Sequence, residues 1–180
     1  MKKILFFAGL FLLSGCSSVK TTYDYDSTAD FSRYKTYDFT NEANSLPIQE
    51  IDRTRVLTAI DSELKAKGFT KSGNPDVWID LQVKLEQKQT ATATNAGGYY
   101  GRPYRYGWGA GYGGTTQINV ENYVDGTLFI NMIDKSTEKL VWQGRGTKTL
   151  AENPSPEKKQ QNINYAVKQI FMKYPPAAKK

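Results

Sequence analysis

Five apolar residues in strict alternation, Val77, Ile79, Leu81, Val83 and Leu85, form the clearest local pattern in the chain. Asp80, Gln82, Lys84 and Glu86 share the opposite face with Trp78. Asp76 to Glu86 is therefore predicted to be a strand with one buried and one wet face, the pattern of antiparallel pairing. Val19, Thr21, Tyr23 and Tyr25 alternate with polar partners and predict a first strand, and Tyr34 to Phe39 resumes the alternation after the turn-rich Asp26 to Asp30. Thr115 to Val124 reads as a further strand, closed at Asp125-Gly126 by a primed hairpin turn that needs positive φ. Thr127 to Ile133 and Lys139 to Thr149 then complete a meander, turning at Asp134 to Thr137. Leu128, Phe129, Ile130, Met132 and Ile133 place apolar groups on both faces, which marks that strand as central.

Twice the period becomes helical. From about Pro47 to Lys67, Leu57, Ile60 and Leu64 recur at helical spacing, Pro47 suits the first turn, and Gly68 supplies the stop. From about Pro156 to Tyr174, Ser155 is the cap, and Ile163, Ala166, Val167, Ile170 and Tyr174 form an apolar stripe ended by Pro175-Pro176. This order predicts an α+β two-layer sandwich: an antiparallel sheet of about five to six strands with two helices packed on one face. The helices should cover the face formed by Ile79, Leu81 and Val83.

The N-terminus has a pattern of its own. Lys2 and Lys3 precede ten apolar or small residues, Ile4 to Leu13, and Leu13-Ser14-Gly15 leads into Cys16, the sole cysteine. The apolar run is too short to span a bilayer, which takes about 20 residues, and has the layout of a bacterial lipoprotein signal. Cleavage before Cys16, with a diacylglycerol on its thiol and an acyl group on its new amine, would make anchoring effectively permanent. The predicted organisation is a removed signal at 1–15, a lipidated tether at 16–22, one α+β domain at 23–176 with a Gly/Tyr-rich loop at 95–114, and a frayed tail at 177–180. Ser17 is not Asp, which favours export to the outer membrane and a periplasm-facing domain; no acidic run marks a surface-export signal.

Composition narrows the chemistry. There is no His, and lipid would consume the only Cys. Ser-His and Cys-His nucleophile pairs, Cys-ligated zinc, His-ligated metals and structural disulfides are thereby excluded. No phosphate-binding or dinucleotide motif is present, and no cofactor is expected. The formal charge of +6 includes Lys2 and Lys3; without them 22 Lys and Arg face 18 Asp and Glu, spread along the chain. That distribution reads as solvation rather than a nucleic-acid footprint.

Two segments carry a resemblance. Tyr25 to Tyr37 (YDSTADFSRYKTY) is similar to the opening signature of a bacterial lipoprotein family. Gly126-Thr127-Leu128 through Asp134, with Lys139-Leu140-Val141-Trp142-Gln143-Gly144, resembles its second signature. The closing helix, ending Lys173-Tyr174-Pro175, fits as well. The family is domain-of-unknown-function family 4136, and the resemblance runs from about residue 20 to 175. It implies a small periplasmic domain on a lipid anchor and supplies no catalytic residues.

Candidate contacts remain. Asp24, Asp26 and Asp30 are spaced as in a calcium loop, but Ala29 and Lys35 stand where such a loop needs Gly and Glu, so Asp26 and Asp30 read as turn formers and no metal is expected. Ala96 to Gly114 contains eight Gly, five Tyr, Trp108 and two Arg. Tyr99, Tyr100, Arg102, Tyr104, Arg105, Tyr106, Trp108 and Tyr112 could stack on a glycan or grip a partner protein, or the segment is a tolerated insertion between strands. Trp78 could be an exposed platform or be covered by neighbouring chain. The favoured reading is a non-catalytic binding or scaffolding module at the outer membrane, its membrane contact made through Cys16 and its partner an envelope protein or glycan. The alternatives are a carboxylate enzyme using Asp80, Asp134 or Glu138 on an envelope polymer, and an auxiliary lipoprotein of a transport or assembly machine.

Overall fold

A computed structural model describes residues 18–95 and 116–176. The signal segment, Cys16, the eight aromatic and arginine candidates between Ala96 and Gly114, and the tail 177–180 lie outside the described residues.

Six strands form one sheet in the order β1-β6-β5-β4-β2-β3. They are β1 (Lys20–Tyr25), β2 (Thr36–Phe39), β3 (Thr70–Lys71), β4 (Val77–Asn95), β5 (Thr116–Asp134) and β6 (Leu140–Leu150). Helix α1 (Glu50–Ala66) and helix α2 (Pro156–Phe171) pack on one face. The α+β reading and the two helices hold. The sheet is mixed, however: β2 runs parallel to both β3 and β4. The reason is topological, because α1 intervenes between β2 and its two partners and returns the chain in the same direction, as parallel pairing requires.

A second correction concerns Asp125-Gly126. No turn occurs there; β5 runs through both residues, and β4 pairs with it continuously from Val77↔Asp134 to Asn95↔Thr116. Gly126 lies opposite Leu85 and Lys148. Asp125 accepts hydrogen bonds from Lys88 (2.6 Å) and Thr149 (2.7 Å), on the two strands that flank it. Turn propensity is local, and here a ladder formed on both sides of the pair overrides it. The segments expected before and after the turn thus become one strand of 19 residues, beside a β4 of equal length.

Helix α2 begins as expected: Ser155 Oγ accepts from Lys158 N (3.3 Å), with Pro156 in the first turn. Helix α1 starts later than Pro47, at Glu50, because a short helical turn at Ala43–Ser45 first buries Ala43 and Leu46. Gly68 ends it at φ +85°, the left-handed position expected of a stop.

The core joins Ile79, Leu81, Ile130, Met132 and Trp142 on the sheet to Val56, Ile60, Leu64, Val167, Ile170 and Phe171 on the helices. Trp142 stacks on Phe171 at 5.7 Å and meets Tyr174 edge-on at 5.3 Å. Two glycines of β6 let α2 come this close. A Cβ on Gly144 would sit 2.4 Å from both Ile170 and Trp142, and one on Gly146 would sit 2.9 Å from Ile170. Trp78, on the opposite face, is half-buried, with Lys135 Nζ 5.9 Å from its ring centre.

Candidate functional site

At the end of the sandwich where both helices begin, the two layers part. Val83 and Leu85 of β4, Leu128 of β5 and Leu150 of β6 form the floor; Ile48 and Val56 stand on one side, Ile163 and Ala166 on the other. The groove, half open to solvent, measures about 730 Å³, within the ~300–1,000 Å³ of small-molecule sites. Small residues leave it open: Gly126 and Gly146 in the floor and Ala166 in the wall put no bulk where the layers separate. Val19, immediately before β1, lines the same space.

The rim is polar. Asp52 on α1 bonds Arg55 Nη1 (2.6 Å) and, across the mouth, Lys159 Nζ of α2 (3.3 Å). Partial burial pushes the Asp52 carboxyl up, but the hydrogen bonds from Arg55 and Lys159 outweigh it, so its pKa lies below the ordinary carboxylate value. Lys148 Nζ donates to Asn162 Oδ1 (2.7 Å) beside it. An apolar trough with a charged lip suits an amphiphile: the trough excludes water from a hydrocarbon chain while the lip faces solvent.

From this groove the apolar surface continues outward. β6 ends at Leu150, opposite Val124, and beyond that row, among the described residues, only β4 and β5 remain, as a two-stranded ribbon to Asn95 and Thr116. On the helix side, Leu85 at the base of the ribbon and Val120 and Ile118 along it are 60%, 56% and 65% exposed, with Gln87, Gln89 and Asn122 between them. Its other face carries Lys84, Glu86, Lys88 and Glu121. The Thr90 to Asn95 stretch belongs to this ribbon, and the Gly/Tyr-rich segment joins its two strands.

The three nominated carboxylates do not converge. Asp80 stands on the open face, accepting from Asn131 Nδ2 (3.0 Å) and Thr40 Oγ1 (3.3 Å), with Gln143 bonded to Asn131 in turn (2.8 Å). Asp134, opposite Val77 on the other face, is buried and gathers the Tyr34 hydroxyl (2.8 Å), Arg33, the Ser136 amide (2.8 Å) and hydroxyl (2.6 Å), and the Thr137 amide (3.0 Å). Glu138 is exposed in the turn beyond it, at φ 56°. Asp26 and Asp30 each bind an amide and a hydroxyl two residues ahead, on Thr28 and Ser32, which holds their carboxyls below the usual range. They are turn formers, as Ala29 and Lys35 in place of Gly and Glu suggested. Among the described residues, no cluster of three or more His, Cys, Asp or Glu could hold a metal ion. No described helix is long and apolar enough to cross a membrane.

The groove itself was missed in sequence. Its lining comes from six stretches of chain, and the glycine that opens its floor, Gly126, read as a turn.

Comparison with curated protein sequences gives no match. Among solved structures the chain is similar to a PDZ domain protein from Parabacteroides distasonis, at 19% identity and a TM-score of 0.51. The alignment covers 88% of this chain and 35% of that one, so the chain spans about a third of that protein, and the likeness is one of fold. A PelC dodecamer from Paraburkholderia phytofirmans aligns at 13% identity, with a TM-score of 0.46 over 86% of this chain and 94% of that one. Over residues 21–176 the sequence matches a family model, and the chain belongs to that family, described as Domain of unknown function (DUF4136).

Proposed function

We propose that this protein is a lipid-anchored, non-catalytic binding module of the outer membrane, facing the periplasm, and that its groove holds the hydrocarbon chain of an envelope amphiphile. The groove is the observation that supports the binding reading: about 730 Å³, floored by Val83, Leu85, Leu128 and Leu150. The N-terminal pattern ending in Cys16 supports the anchor.

The test of binding is titration of a chain beginning at Ser18 with a dansyl-labelled fatty acid. Saturable uptake with a blue-shifted emission is expected, and Ala166→Trp, which would fill the wall of the groove, should abolish it while the protein still melts cooperatively. Uptake unaffected by Ala166→Trp would refute the groove as the site. Anchoring is tested separately. Cys16→Ser should abolish labelling by a palmitate analogue and release the protein from the outer-membrane fraction; retained label would defeat that part of the reading.

A further inference from the structure

The chain leaves the sheet on the same side as the ribbon, and the two reach different distances. Lys20, Thr147, Thr127 and Lys84 form one row across β1, β6, β5 and β4. From that row β1 runs inward to Tyr25, opposite Trp142, so the chain before Lys20 departs toward the ribbon. Past the row, β4 continues to Asn95, about 36 Å farther at ~3.3 Å per residue. The tether from Lys20 back to Cys16 spans at most about 14 Å.

We propose that the ribbon lies on the membrane surface, with the helix-side face of Leu85, Val120 and Ile118 seated at the lipid headgroup boundary. This rests on the reading that Cys16 is lipidated. A membrane-bound Cys16 holds the Lys20 row within a tether's length of the bilayer, and β4 reaches more than twice that distance past the row. Standing upright, it would drive its outer half into hydrocarbon. Among the described residues both strand edges are unpaired there, and each bare N–H or C=O would cost several kcal/mol; Glu121, opposite Thr90 and about 20 Å past the row, would enter as well. A ribbon leaning onto the surface avoids both costs, and its two faces decide which side goes down. The helix-side face is uncharged, with Leu85, Val120 and Ile118 more than half exposed among Gln87, Gln89 and Asn122, whereas the other displays the charges. The groove opens on that same side, so a ribbon seated this way turns the mouth of the groove toward the lipid.

The test uses the full lipidated chain in phosphatidylethanolamine–phosphatidylglycerol vesicles. With Cys16 consumed by lipid, Val120→Cys and Glu121→Cys each provide a single free thiol, at adjacent positions on opposite faces. Each is labelled with an NBD fluorophore after vesicle flotation. Doxyl-labelled lipid should quench most of the emission at 120, with a blue-shifted spectrum, and leave 121 largely unquenched. Co-flotation with equal, weak quenching at both positions overturns the ribbon proposal and spares the anchor. Disulfide dimers through residue 120 without lipid quenching would assign the face to a second copy and overturn it equally. Protein that fails to float, with label also appearing on Cys16, defeats the anchor and the ribbon proposal together.

Discussion

Leu81→Asp is expected to abolish cooperative folding. Leu81 is 3% exposed, opposite Ile130, under the two helices. A carboxylate there must either ionise among apolar groups or take up a proton, and no basic residue belongs to that core. The cost is about 4–5 kcal/mol or more, comparable with the ~5–15 kcal/mol that stabilises a whole domain. Circular dichroism on heating should show no sigmoidal transition. Leu85→Asp, two rows farther along the same strand face and 60% exposed, should cost about half a kcal/mol or less. A cooperative melt for the Leu81 variant would mean that the faces of β4 are inverted.

Asp134→Ala should also be destabilising, for a polar reason. The carboxylate is 2% exposed and is the acceptor for Tyr34, Arg33, Ser136 and Thr137, so it ties the β5–β6 turn to the segment before β2. Alanine removes the acceptor and strands the buried Tyr34 hydroxyl, while half-exposed Arg33 and the exposed turn amides can turn to water, a loss of about 1–3 kcal/mol. Urea unfolding should show the midpoint falling with an unchanged slope. Asp134→Asn keeps one carbonyl acceptor and should recover part of the loss. A midpoint within experimental scatter of the parent would show that the turn is held by its backbone alone.

What the sequence disclosed tracks the length of the pattern. The five-residue alternation at Val77 to Leu85 named its buried face correctly, and the Ser155-Pro156 start placed α2. β2 and β3 span four and two residues, too few for periodicity to name a partner, and their parallel pairing follows from the α1 crossover. Asp125-Gly126 misled because a dipeptide reports only local preference, whereas β4 and β6 flank both residues. Gly144 stood within a recognisable signature, but its reason, the closeness of Ile170 and Trp142, exists only once α2 is docked. The groove is the extreme case: it is an absence of side chains shared among distant segments, and no single window of sequence contains it.

The unbroken β4–β5 ladder imposes a parity rule on the ribbon. From Val77 to Asn95 the two strands pair residue for residue with no bulge, so the direction of every ribbon side chain is fixed by counting outward from the core. Removing one residue from each strand beyond Leu85 and Gly126 would send Val120 and Ile118 to the charged face and Glu121 to the apolar one, while the sandwich stayed intact. Removing two from each would shorten the ribbon by about 7 Å and keep its faces. If the faces matter, ribbons in related chains should differ in length by even steps per strand, and the odd lengths should be missing.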